Sequence, residues 1–167
     1  MNMVAAQDAY QVENYQVVFF IDNAGITVEG SMEGLEADVA FHPRKIAQTR
    51  IVATLDPATI RTGIRIRDNH LKRSDYFDIE QYPKITLTST GFTKNGKDAL
   101  LGIFILNIKG MEREVKIPIT YTNSGDILDL SGNFIINRLD FGLGEESFIL
   151  SDDVSIEITA QFRREKS

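Results

Sequence analysis

The residues best placed to do chemistry lie together in Arg67-Asp68-Asn69-His70-Leu71, where one helical turn would hold a cation, a carboxylate and an imidazole close to one another. Such a cluster suits hydrogen bonding to the polar head of a ligand at the mouth of a pocket. A plainer reading fits the same spacing. Asp68 pairs with Arg65 or Lys72 across a helical turn while His70 packs beneath the segment, and a surface pair of that kind contributes only about 0.3–0.5 kcal/mol. Arg138 and Asp140, on either side of Leu139, form a second charged pair, readable as a ligand contact or as an ion pair that anchors a turn. Other chemistry finds little support. His42 is the one remaining histidine, no HExxH or GxSxG occurs, and Asp152-Asp153 and Glu145-Glu146 read as solvated loop charges rather than an acid/base pair. The glycines sit in turn-like surroundings, with no phosphate loop or dinucleotide fingerprint. The expectation is no catalytic residue, no metal and no cofactor.

The elements that position these residues are strands. Val154, Ile156, Ile158, Ala160 and Phe162 alternate with Ser155, Glu157, Thr159 and Gln161, the period-two pattern of a half-buried strand. Val115, Ile117, Ile119 and Tyr121 repeat it, with Pro118 on the polar side marking an edge, a bulge or a splayed part of the sheet. The predicted strands are 11–21, 26–33, 36–41, 48–55, 85–92, 99–108, 114–121, 127–136 and 154–162. They are separated by turn signals such as Asn23-Ala24-Gly25, Lys109-Gly110 and Gly142-Leu143-Gly144. Eight or nine such strands favour an antiparallel barrel, with a sandwich as the alternative. Val18 and Phe20, with most of the 100–108 run, make some strands apolar on both faces, which calls for outside cover by a helix or a second subunit.

The interruption at 56–85 is therefore conspicuous, because structureless connections above about 12–15 residues are uncommon and often form lids or binding elements. Asp56-Pro57 should end a strand there. Ile64 and Leu71 then share a helix face, Ser74 or Asp75 caps a short turn, and Tyr82-Pro83 restores extended geometry. The segment reads as an amphipathic lid over Ile60–Phe77.

Composition narrows the function classes. A chain of 167 residues with 43% hydrophobic and 9% aromatic content builds one sizeable core. The net charge of −6 works against nucleic acid, and the absence of cysteine removes thiol chemistry and disulfides. No run approaches the ~18–20 apolar residues of a spanning helix, so a soluble chain is expected. Residues 1–9 read as a disordered stub in which Val4-Ala5-Ala6 would suit the end of a cleaved export signal, although an ordinary disordered start fits equally. Residues 10–163 form one domain and 164–167 a tail. Small or polar residues inside apolar strands (Ser89, Gly91, Gly102, Ser131, Gly132, Asn133) reduce the volume available to fill the interior and favour a cavity over a solid core.

The run Arg67-Asp68-Asn69-His70-Leu71-Lys72-Arg73-Ser74-Asp75-Tyr76-Phe77-Asp78, continued by Tyr82-Pro83-Lys84-Ile85 and Ser89-Thr90, closely resembles the signature of the YceI-like proteins. So do residues 56–63, the stretch from Ile108-Lys109-Gly110 to Pro118, and Ile136-Asn137-Arg138-Leu139-Asp140-Phe141-Gly142, in the same order over nearly the whole chain. The resemblance implies an all-β fold: an eight-stranded antiparallel lipocalin-like barrel with a short helical lid between two strands. It also implies export to the periplasm or beyond, frequent homodimers, and non-enzymatic binding of a polyisoprenoid or other long-chain amphiphilic lipid. The chain departs from the family at Glu13-Asn14-Tyr15, where His-Ser is common, and at Lys109, where a histidine is usual. That leaves Arg67, His70 and Arg138 as candidates for the polar end of the ligand. Phe19, Ile51, Leu87, Phe104, Phe134 and Ile156 are expected to line the tunnel, with Leu71 and Phe77 on the lid. Two other hypotheses stand beside the carrier: a packed-core structural or interaction module that dimerises, and a His70-assisted enzyme acting on an amphiphile.

Overall fold

The computed structural model describes residues 9–166. The expected N-terminal stub falls outside them except for Ala9, which already pairs with Ala40. At the other end Arg164, expected in the tail, pairs with Tyr10.

Eight strands form a closed barrel in simple sequence order: β1 (Ala9–Asn23), β2 (Ile26–Ala40), β3 (Arg50–Arg61), β4 (Ile85–Lys94), β5 (Ala99–Ile108), β6 (Met111–Ser124), β7 (Ile127–Asn137) and β8 (Asp153–Arg164). Every neighbouring pair is antiparallel and β8 closes on β1 over Tyr10–Phe20, although β3 pairs with β4 only over Val52–Leu55. Barrel closure decides the facing even where the sequence is apolar on both sides. In β5, Leu100, Gly102, Phe104, Leu106 and Ile108 are buried while the residues between them are half-exposed.

The two predicted strands at 26–33 and 36–41 are one. Gly34, at φ +77°, and register shifts on either side of Glu33 let β2 bend without breaking. Nor does Asp56-Pro57 end β3. Pro57 sits in a bulge where the β2 partner jumps from Glu33 opposite Asp56 to Ser31 opposite Arg61. The Thr59 hydroxyl accepts the Glu33 N–H at 2.7 Å, so the ladder needs no donor from the proline. Pro118 lies where β6 and β7 part: β6 pairs with β7 only from Ile119 onward, a splayed seam of the kind its position suggests.

All four odd-to-even connections lie at one end, and the 62–84 excursion crosses it. Within the excursion α1 spans Arg65–Leu71, with no buried residue. Leu71 turns inward, but Ile64 is the exposed N-cap, so the two do not share a face. The short turn expected after the helix lies at 74–77, where the Asp75 carboxylate pairs with His70. The 138–152 connection forms a second flap: the Gly144 N–H donates to the Asp75 carbonyl at 2.8 Å, and Lys109 Nζ reaches the Gly142 carbonyl at 2.9 Å. Because α1 lies across the mouth, it does not supply the helical alternative of the outside cover expected for Val18, Phe20 and β5.

The opposite end is filled. Tyr10, Phe41, Phe92, Phe104, Leu128 and Phe162 belong to one buried cluster, with edge-on ring pairs Phe41–Tyr121 at 5.0 Å and Phe92–Phe104 at 5.6 Å.

Candidate functional site

Between the aromatic plug and the lid the barrel encloses a cavity of about 350 Å³, within the range of small-ligand sites. The six strand residues expected to face inward, Phe19, Ile51, Leu87, Phe104, Phe134 and Ile156, all line it, and so do Leu71 and Phe77 from the lid. The wall is almost entirely apolar, with Val17, Met32, Ile60, Ile85, Leu130 and Ile158 completing much of it.

Glycines shape the interior in a way the sequence did not reveal. Phe19 pairs across the ladder with Gly30, and its ring lies flat on the glycine: a Cβ there would fall 2.5 Å from Cε2 and 2.6 Å from Cε1. Gly30 has no positive φ, so the ring, not the backbone, requires the missing side chain. Gly102 is likewise covered by Phe104, and Gly132 by Ile117. These two glycines therefore admit neighbours rather than leave open space, which corrects the volume argument made from them, although Gly132 still borders the cavity.

Polar groups gather at the lid end. Arg67, His70, Thr62 and Arg138 border the cavity there. Asp68 accepts from Thr62 N at 2.8 Å and Thr62 Oγ1 at 2.5 Å, instead of pairing with Arg65 or Lys72. Arg67 completes the knot, donating from Nε to Thr62 Oγ1 at 2.7 Å and from Nη2 to the Thr62 carbonyl at 2.6 Å. The β3–α1 junction is thus locked by two charged side chains around one threonine. His70 turns to Asp75 instead, Nε2 to Oδ2 at 2.7 Å, with the Tyr76 ring edge-on at 5.3 Å. The hydrogen bond from His70 holds the Asp75 carboxyl below its usual range.

Arg138 is buried at 2% exposure, and its partner is not Asp140. Nη1 donates to the Leu143 carbonyl at 2.8 Å, Nε to Ser151 at 2.9 Å and Nη2 to Leu150 at 3.4 Å, and the carboxylate of Asp152 lies 3.5 Å away. One guanidinium thereby gathers both limbs of the second flap and seats Leu143 and Leu150 against the cavity. Sequence spacing could not find this contact, since Asp152 is fourteen residues away and had read as a solvated loop charge. Among the described residues no group of three metal-ligating side chains occurs. No described helix is long and apolar enough to cross a membrane.

A known family model matches the chain that folds into this plugged and lidded barrel. The YceI-like domain aligns with residues 9–162. The chain belongs to the YceI-like family. Among curated relatives, a UPF0312 protein of Staphylococcus aureus is 28% identical over 148 residues, covering 81% of this chain and 84% of that protein. A UPF0312 protein of Pectobacterium atrosepticum is 26% identical over 146 residues, covering 82% of this YceI-like chain and 74% of the relative. Among solved structures, Burkholderia cenocepacia BcnA superposes with a TM-score of 0.85 at 26% identity, covering 90% of this chain and 98% of BcnA. A polyisoprenoid-binding domain from Saccharophagus degradans superposes at TM-score 0.74 and 10% identity, covering 95% of this chain and 99% of that one, a likeness of fold.

Proposed function

We propose that this YceI-like protein binds and carries a long apolar amphiphile of polyisoprenoid type, its tail in the barrel and its polar end beneath the lid. The observation that carries the reading is the cavity itself, lined almost wholly by apolar side chains, sealed at one end by edge-on aromatics and bordered by Arg67, His70 and Arg138 at the other. Tail burial at ~25 cal/mol per Å² needs no directional bond, which suits so featureless a wall. The likeness to a polyisoprenoid-binding domain supports the same ligand class.

Arg67 and His70 are the residues proposed to meet the head group, since Arg67 keeps its Nη1 nitrogen without a protein partner among the described residues. Arg138 acts less directly, because its donors are committed to flap carbonyls. The proposal extends to a non-enzymatic role outside the cytoplasm, as the family resemblance implies, which fractionation of the native host tests. A solid-core interaction module accounts less well for an interior of this volume.

Native mass spectrometry of protein purified from its own host, followed by organic extraction, tests the carrier reading. A co-purifying isoprenoid-like lipid at about one per subunit supports it. Protein that arrives empty and takes up no added polyprenyl lipid rejects it in favour of the interaction module, for which a stable homodimer is the expected form.

A further inference from the structure

The two ends of the barrel treat apolar side chains differently. Among the described residues, all the large apolar side chains left exposed except Val52 and Ile135 sit on or beside the connections of the lid end. They are Ile26 beside the β1–β2 turn, Ile64 and Ile66 on the lid, Met111 beside the β5–β6 turn, and Phe148 and Ile149 on the second flap. Ile66 is 83% exposed and Phe148 wholly so. The connections of the opposite end carry none. Single exposed aliphatics need no explanation, but a ring of them on all four connections around one mouth marks an interaction surface.

Charge indicates what the surface meets. Residues 61–73 hold five cations, Arg61, Arg65, Arg67, Lys72 and Arg73, in a chain of net charge −6. The one carboxylate in that stretch, Asp68, is turned inward onto Thr62 and does not neutralise the outer face. Ile64 and Ile66 therefore stand among exposed Arg61, Arg65 and Arg73, the combination of apolar anchors and basic flanks that seats protein loops at an anionic lipid surface. Glu145 and Glu146 lie beside Phe148, so the electrostatic pull is confined to the lid side of the rim.

We propose that the lid end docks on a lipid bilayer carrying anionic head groups, with Ile64, Ile66 and Phe148 inserted at the boundary between head groups and acyl chains. The docked mouth opens directly onto the bilayer, so an apolar tail passes between membrane and cavity without crossing water. That purpose rests on the carrier reading, but the docking does not.

The test is flotation of the full chain with two kinds of vesicle, phosphatidylcholine alone and phosphatidylcholine with about one-third phosphatidylglycerol. Wild-type protein is expected to float with the mixed vesicles and much less with phosphatidylcholine. The Ile66→Ser/Phe148→Ser variant should lose about tenfold or more in partitioning, as removal of two buried aliphatic or aromatic anchors requires. Arg61→Gln/Arg65→Gln/Arg73→Gln should abolish the preference for phosphatidylglycerol. All these side chains are exposed, and an unchanged thermal transition checks that each variant is folded. Failure to float, equal flotation of the Ile66→Ser/Phe148→Ser variant, or equal binding to both vesicle types overturns the proposal. So does a wild-type dimer that the same variant converts to monomer, because the rim is then a contact between two copies. Uptake of a polyprenyl lipid from detergent, measured in parallel, separates the hypotheses: uptake without flotation rejects docking alone, and flotation without uptake rejects the carrier reading alone.

Discussion

Replacing Gly30 with alanine should convert the cavity wall into an obstruction. The new Cβ falls within 2.6 Å of three ring atoms of Phe19, closer than any carbon contact tolerates, and the ring is the part free to move. Gly30 has no positive φ, so alanine costs its backbone nothing. Phe19 must rotate off the sheet, and the space beside it is the cavity. In a filled core such overpacking costs about 1–3 kcal/mol. Here the ring has room, so urea denaturation should show a loss below about 1 kcal/mol. Ligand capture should suffer instead. If the displaced ring denies a tail about 100 Å² of contact, the loss is ~2.5 kcal/mol at ~25 cal/mol per Å², or roughly 70-fold in Kd. Titration with a fluorescent polyprenyl probe measures that change, and Gly30→Ala/Phe19→Ala should restore affinity to near that of Phe19→Ala. The reasoning is refuted if Gly30→Ala binds as the wild type does, or if it loses 3 kcal/mol of stability with no rescue by the second substitution.

Arg138→Met leaves the carbonyls of Leu143, Leu150 and Ser151 without their shared donor, so stability should fall by about 3–5 kcal/mol in urea titrations. Arg138→Lys should recover little of it, since an ammonium cannot span the same fork. The native Asp75 carboxyl is held low, so its bond to His70 adds stability that is fully present above the ordinary carboxylate value and disappears as pH falls through the lowered one. Carbon-detected NMR titration should find Asp75 returning toward its ordinary value in His70→Ala. Phe104→Ala, deep in the plug against Phe92, should cost about 3–5 kcal/mol, whereas Phe134→Ala, half-buried beside the cavity, should cost clearly less by the same chemical denaturation.

Much of this molecule was legible in the order of its residues. Alternation in β6 and β8 has one physical meaning, a strand with one dry face, and it set the inward facing of Ile117 and Ile156. The charged excursion between β3 and β4 could be identified as a lid because it breaks that alternation. Local rules failed where a distant partner supplied what they assumed missing. Pro57 did not end β3 because Thr59 offers its hydroxyl to Glu33, and 26–33 and 36–41 did not separate because Gly34 lets one strand bend.

The sequence by itself determined the strand pattern, the location of the lid and the apolar character of the interior, since these follow from hydrophobic periodicity and turn chemistry within a few residues. Only the tertiary structure decided that Arg138 answers to Asp152 and three carbonyls, that Phe19 lies on Gly30, that Ile66 faces outward, and that space remains between plug and lid. Each of those depends on which side chains meet across the closed barrel. A void is a property of how volumes fit together, not of any residue that borders it.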